Sequence, residues 1–198
     1  MLFRSLDPHD AGEIRIKNQA VKISSPKDSI DQGMVMLSED RRRYGIIPVR
    51  SVKENVTLAS IEKFIYKGRL HRKKEREAVV LKCNEMNIKT PTIETEISAL
   101  SGGNQQKVVL AKWMINGPDI LLLDEPTRGI DVGAKYEIYK LMTLLAGEGK
   151  AILMVSSELA ELIGMCDRIY VLAEGTIRGE LRREKFSQEA IMKLAVGE

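Results

Sequence analysis

Apolar positions along the chain follow two rhythms, and the rhythm changes at about residue 100. In the first half, "GEIRIKNQAV" (residues 12–21) alternates Ile14 and Ile16 with polar neighbours, which predicts one half-exposed strand. "GMVMLSED" (residues 33–40) is a short apolar run ending in polar residues and predicts a buried strand. Ser51 followed by Glu54 has capping-box spacing, so a helix is expected to start at Val52. The charged stretch from about residue 52 to residue 86 reads as helical, with Val79, Cys83 and Met86 on one face. "TPT" at residues 90–92 breaks it.

In the second half, a helix is expected from about residue 104 to residue 115, with Gly117 as its stop. "DILLLDEP" holds four consecutive apolar residues, then two acids and a proline, which suggests a strand buried on both faces. Ile138, Leu141, Met142 and Leu145 trace a helix face ended by Gly147, and "AILMVSS" reads as a second buried strand. Leu159, Leu162, Ile163 and Cys166 trace a further helix face. "RIYVLAEGTIRGEL" reads as two strands around a Glu174–Gly175 turn, and a short helix follows Ser187. Alternating strand and helix predicts an α/β fold with a mainly parallel sheet, interrupted by a helical insertion.

Composition narrows the class. A hydrophobic content of 43% and a charged content of 30% fit a globular domain, and no apolar run approaches the roughly 18 residues of a membrane span. The opening residues lack the pattern of a signal peptide. A net charge of +3 is too small to argue for nucleic acid. The basic run "GRLHRKKERE" mixes in acids and lacks interleaved aromatics, so it reads as a solvated helix face. Cys83 and Cys166 share no metal-like spacing and read as reduced core thiols of a cytosolic protein. His9 and His71 read as surface residues.

Two stretches carry chemistry. Asp124 and Glu125 end a buried strand, where open α/β sheets place ligands. One carboxylate can hold hydrated magnesium and the next can polarise a water. The same residues also suit a strand that simply ends in a polar turn. In "LSGGNQQK", Gly102 and Gly103 permit close backbone approach, and Ser101 can cap the helix or donate to an oxyanion. Taken alone, a glycine pair is a weak motif, and a plain capped helix after a flexible turn accounts for the stretch better. Arg128 suits either a phosphate or a surface ion pair, Trp113 a packed position, and Thr127 support of the turn after Pro126.

Taken together, these motifs resemble the nucleotide-binding domains of ABC transporters over essentially the whole chain. "LSGGNQQK" looks like the signature motif, "ILLLDEP" the Walker B strand and "GID" (residues 129–131) the D-loop. "SSEL" (residues 156–159) stands where the switch loop should be, and Glu39 falls near the usual Q-loop glutamine. More narrowly, "SGGNQQKVVLAKW" with "DEPTRGIDVGAK" and "SSEL" resembles the C-terminal half of the duplicated ATPases of bacterial simple-sugar importers. A relative from DNA repair or translation would lack that pattern.

The resemblance implies a P-loop NTPase (RecA-like) fold in three parts. Residues 1–50 would be a remnant β-subdomain with the Q-loop strand, residues 51–115 a helical subdomain ending in the signature helix, and residues 116–198 the α/β core. It implies ATP and Mg2+ as ligands, and a head-to-tail dimer with a second nucleotide-binding domain. Ser101, Gly102, Gly103 and Asn104 would meet the γ-phosphate of a nucleotide held by that neighbour. Asp124 would hold magnesium and Glu125 would activate water, while Glu39, Asp131 and Ser157 would line the nucleotide. A membrane permease subunit would dock on the helical insertion, placing the protein at the inner face of the cell membrane.

Three departures qualify this. No Walker A loop, G-x-x-x-x-G-K-[ST], occurs, and the chain reads as beginning just after it, as a truncation or a misplaced start would leave it. Ser157 replaces the switch histidine, and Glu39 replaces a neutral glutamine. The fold is then expected to lack the P-loop strand between "AILMVSS" and "RIYVLAEG", leaving a gap, a shifted strand or an oligomer contact there. Function stays open between a sugar-importer ATPase active only with a partner and a non-catalytic remnant that lends its signature loop.

Overall fold

Lys17 and Asn18 both adopt positive φ, and this turns the expected single strand into a hairpin of β1 (Ile14–Ile16) and β2 (Gln19–Val21). A two-residue turn with both centres left-handed matches the twist of antiparallel strands. A short helix absent from the sequence reading, α1 (Pro26–Asp31), follows, capped by Ser25 Oγ accepting from the Asp28 amide. It leads into β3 (Met34–Leu37), which is buried as expected. The computed structural model describes residues 11–197. His9 and most of the opening stretch therefore lie outside the described residues. The chain divides into two compact units, Met1–Met154 and Val155–Glu198.

In the first unit, Arg41–Gly45 forms a wide π-helical turn. The Ser51–Glu54 capping box then starts α2 (Val52–Thr57) where the sequence places it. The remaining insertion is not one helix. After a 3-10 segment, β4 (Ile65–Tyr66) and β5 (Arg69–Leu70) form a hairpin around Lys67 and Gly68, both left-handed. Helix α3 (Arg72–Glu85) resumes, and Val79, Cys83 and Met86 are all buried. Asn55 fastens the loop before α2. Its Oδ1 accepts from the Ile47 amide at 2.7 Å, and its Nδ2 donates to the carbonyls of Ile47, Arg50 and Ser51.

Helix α4 (Gly102–Met114) enters the core and leads to β6 (Ile120–Asp124), which pairs in parallel with β3, Met34 opposite Ile120 and Leu37 opposite Leu123. Leu121, Leu122 and Leu123 are buried, as a strand covered on both faces requires. Met34, Met36, Ile120 and Leu122 share one face with Ile14, Ile16 and Val21 of the hairpin, and α4 packs against β3. Helix α5 (Val132–Gly147) buries Ile138, Met142 and Leu145. β7 (Ala151–Val155) takes the other side of β6. It was expected to be buried, but as the last strand of its sheet it alternates exposed and half-buried residues, with Leu153 and Val155 open.

The second unit is a β-hairpin with helices. Helix α6 (Leu159–Met165) precedes β8 (Arg168–Ala173) and β9 (Thr176–Arg182), which turn at Glu174 and Gly175, both left-handed. Helix α7 (Gln188–Val196) is capped by Ser187 Oγ. Ile169, Val171, Leu181 and Ile191 form its core against Leu159, Leu162, Ile163 and Cys166. Among the described residues, β7 belongs to the three-stranded sheet with β3 and β6, and β8 to a two-stranded sheet with β9. Among the described residues no helix is long and apolar enough to cross a membrane.

Lys107 of α4 is the largest fully buried side chain, 2% exposed. Its ammonium donates to the Asn87 carbonyl and to Glu137 Oε2 of α5 at 2.7 Å. That bond, with the attraction of the same cation, holds the Glu137 carboxyl below the usual glutamate range. A carboxylate with a depressed folded pKa stabilises the fold above its unfolded value of about 4.3, and the contribution is lost as pH falls through the lower folded value. Glu137→Gln should cost about 1–2 kcal/mol at neutral pH, discounted for a side chain partly open to solvent. Urea denaturation between pH 3 and pH 7 checks this. The variant should lose part of the acid sensitivity of the wild type, whereas parallel curves would contradict the pairing.

Candidate functional site

The stretch "LSGGNQQK" is helix rather than loop from its third residue. Ser101 occupies the N-cap position with extended backbone, and α4 begins at Gly102, two residues before the expected start. The Ser101 hydroxyl does not cap the helix; it accepts from Asn104 Nδ2 at 3.0 Å. The first-turn amides of α4 thus lack an intrahelical acceptor and form the positive end of a 13-residue helix.

The two glycines have packing roles as well as first-turn amides. A Cβ on Gly103 would fall inside Ala134 of α5, far closer than two carbons approach. A Cβ on Gly102 would stand 2.8 Å from Arg41 Nη2 and 3.3 Å from the Gly129 carbonyl. The close approach expected of a bound phosphate is therefore made first by the protein's own helices.

The polar residues after the glycines are structural ties that sequence reasoning missed. Asn104 Oδ1 accepts from the Lys89 amide at 2.8 Å. Gln105 Nε2 donates to the carbonyls of Ile97 and Leu100, and Gln106 Nε2 to the Pro126 carbonyl at 2.7 Å. Lys112 Nζ donates to the Gly45 carbonyl at 2.7 Å. The available signal was a run of polar residues entering a helix that must bury most of its surface. Trp113 sits on this helix with the Lys112 ammonium 4.9 Å from its ring centre.

The Gln106 bond brings the acidic pair to α4. Asp124 closes β6 half-buried, and Glu125, also half-buried, takes φ +48°, a left-handed conformation that costs a non-glycine residue of order 1–3 kcal/mol. The Glu125 carbonyl accepts from the Arg128 amide at 3.1 Å, so a tight turn follows the acids, and Thr127 is buried within it. Asp131 Oδ1 accepts from the Ala134 amide at 3.0 Å and caps α5. Glu39 reaches the same loop from β3, its carboxylate paired with the Arg128 guanidinium. Arg128 thus makes the surface ion pair that sequence left as one of two options.

Ser101, Gly102, Gly103, Asn104, Asp124, Glu125, Asp131 and Glu39 all lie in the first unit, on segments joined through residues 125–131. Ser157 lies in the second unit and is exposed, in a turn where Ser156 Oγ donates to Glu161 Oε2 at 2.7 Å. His71 is exposed and N-caps α3, its Nδ1 accepting from the Lys74 amide. Among the described residues no group of three or more His, Cys, Asp or Glu could form a metal cage. A lone strand-end carboxylate such as Asp124 still fits magnesium, which keeps several waters and takes one or two carboxylates with phosphate oxygens.

Comparison with known proteins places this geometry. A family model described as "ABC transporter" matches residues 1–128. The chain is 49% identical over 189 residues to a putative ribose/galactose/methyl galactoside import ATP-binding protein of Halalkalibacterium halodurans, covering 96% of the chain and 36% of that protein. It is 47% identical over 197 residues to a xylose import ATP-binding protein of Photobacterium profundum, covering 100% and 39%. With a ribose import ATP-binding protein of Bacillus licheniformis, it is 48% identical over 192 residues, covering 97% and 39%. The chain thus spans less than two fifths of the length of these relatives. A solved ATP-binding cassette of an ABC transporter in its ADP conformation superposes with a TM-score of 0.79 at 20% identity, covering 100% of this chain and 81% of that one. A dimeric post-hydrolysis cassette bound to ADP and Pi gives a TM-score of 0.74 at 24% identity, covering 92% and 78%. These likenesses show the fold, the P-loop NTPase α/β fold expected from sequence.

The glycine geometry is testable without any ligand. Gly103→Ala overpacks the α4–α5 contact and should destabilise the chain by about 1–3 kcal/mol in urea denaturation. Gly147→Ala at the end of α5, where a Cβ meets no atom within 4 Å, should be neutral or stabilising by up to about 1 kcal/mol. Equal effects at the two sites would contradict the packing role.

Proposed function

The chain belongs to the ABC transporter family, and we propose that it serves as part of the ATP-binding subunit of a simple-sugar importer, coupling ATP hydrolysis to carbohydrate uptake. The observation that carries this reading is the meeting of the glycine helix start and the strand-end carboxylates around one loop, tied by Gln106 to the Pro126 carbonyl. The sugar-import names of the relatives support the cargo class.

In this reading the site works in halves. Ser101 and the first-turn amides of Gly102, Gly103 and Asn104 close over the γ-phosphate of a nucleotide held by a second, head-to-tail nucleotide-binding domain. Their positive helix end opposes the charge that builds on the phosphoryl oxygens. Asp124 and Glu125 serve a nucleotide on this chain's own side. Asp124 would hold a magnesium ion, which would supply positive charge to offset that of the phosphates. Glu125 orients the attacking water and takes its proton as the water oxygen bonds to the γ-phosphorus and the bond to the β-phosphate oxygen breaks. The 198 residues contain no G-x-x-x-x-G-K-[ST] loop, so this second role requires a segment that supplies one. Glu39 and Asp131 border the nucleotide.

A membrane permease subunit docks on the helical part, residues 51–115, beside Glu39. Exposed Ile47 and Val49, on the loop before α2 that Asn55 fastens, support that face. The protein sits at the inner face of the membrane.

Phosphate release with magnesium-ATP tests the division of labour. The chain alone should show no turnover above background. Added to a complete nucleotide-binding domain of a sugar importer, it should raise that domain's turnover. Ser101→Glu, a change at an exposed residue that sets a carboxylate where the phosphate rests, should remove most of the gain, about tenfold or more. Turnover by the chain alone that Glu125→Gln abolishes would refute the dependence on a partner. Absence of any stimulation would refute the lending of the signature helix.

A further inference from the structure

The loop between β6 and α5 is fixed at its ends by its own bonds. The Arg128 amide returns to the Glu125 carbonyl, and Asp131 caps α5. Its middle is held by a segment nearly ninety residues earlier in the chain. Arg41 opens the π-helical turn after β3, and its guanidinium forks onto two successive carbonyls, Nη1 to Arg128 at 3.0 Å and Nη2 to Gly129 at 3.3 Å. The loop answers in the opposite direction, since the Arg128 guanidinium pairs with Glu39, two residues before Arg41. Two ties therefore cross between residues 39–41 and residues 128–129.

The fork also touches the signature helix. Arg41 Nη2 occupies the space that a side chain on Gly102 would need. Gly129 takes φ +67°, which turns its carbonyl without the steric cost other residues would bear. A cation donating to two carbonyls makes charge-assisted bonds, stronger than neutral ones and directional because the guanidinium is planar. Lysine carries the same charge without the fork. Arg41 Nε is buried and without a partner among the described residues, so the guanidinium is held from its far end alone.

We propose that Arg41 is a positioning residue, which together with the Glu39–Arg128 pair clasps residues 128–131 against the start of α4. The segment after Glu39, the loop that carries Asp131 and the first turn of the signature helix then move as one body. What that body faces rests on the nucleotide reading above, but the clasp does not. A displacement of residues 39–41 is passed to the loop and the glycine turn through the crossed ties rather than through the sheet.

Hydrogen exchange read by mass spectrometry on the full chain, without ATP, tests the clasp separately from hydrolysis. Arg41→Ala should speed exchange at residues 128–131 and 102–104 by about tenfold while leaving α3 near its wild-type rate. Arg41→Lys should recover only part of that protection. Glu39→Lys and Arg128→Glu should each loosen the same peptides, and the double variant, which restores an opposite-charge pair, should tighten them again. These two positions are exposed, so the exchange test stands even if Arg41→Ala fails to fold. In the stimulated phosphate-release assay, Arg41→Lys should lower kcat about threefold or more with little change in KM for ATP. Uniform loosening that includes α3, no loosening at all, or a double variant no tighter than the singles would overturn the proposal.

Discussion

Gln105, Gln106, Lys107 and Lys112 are polar side chains buried on one helix, and each finds its partner on a different segment of the chain. Leaving a buried ammonium or amide N–H unpaired is costly, so each of these four donors favours the packing that supplies its acceptor, while Oε1 of Gln105 and of Gln106 is buried without a partner among the described residues. Those partners fix the turn before α4 at Ile97 and Leu100, the end of α3 at Asn87, the first turn of the strand exit at Pro126, helix α5 at Glu137 and the π-helical turn at Gly45. Apolar burial by Val108, Val109, Leu110 and Ala111 supplies attraction without direction. The polar bonds supply the direction.

The site follows from that arrangement. Once Gln106 holds the Pro126 carbonyl and Gly103 lies against Ala134, the start of α4 must stand beside the loop after the acidic pair. The left-handed backbone of Glu125 is maintained by this tight surrounding rather than by its own preference. Glycine has two uses here. It admits α5 and the Arg41 guanidinium from within the protein, and it stands at the first turn of α4, whose amides have no intrahelical acceptor. The carboxylate at position 39 adds no bare charge to this region, because Arg128 pairs with it.

Much of this was legible in the sequence where the signal is local. The capping box at Ser51 and Glu54, the buried run before Asp124, the helix face of Val79, Cys83 and Met86, and the Glu174–Gly175 turn all depend on neighbours within a few residues. The hairpins at Lys17–Asn18 and Lys67–Gly68 were passed over because lysine is a poor turn marker, although Asn18 and Gly68 tolerate the left-handed region. β7 was read as buried because an apolar run says nothing of what packs over each face of its strand, and here Leu153 and Val155 are left exposed. For the site, the residue types were legible and the ties were not. Lys107 to Glu137, Gln106 to Pro126 and Arg41 to Gly129 span 20 to 88 residues of sequence, and no periodicity reveals them.

The central claim is that the start of α4 is the closing half of a phosphate site whose other half belongs to a neighbour. Amide exchange at Gly102, Gly103 and Asn104, followed as magnesium-ATP and a complete nucleotide-binding domain are added together, addresses it directly. The account predicts strong protection of these amides only when both are present. Protection by ATP without the second domain, or no protection while the second domain's own glycine loop becomes protected, would contradict it.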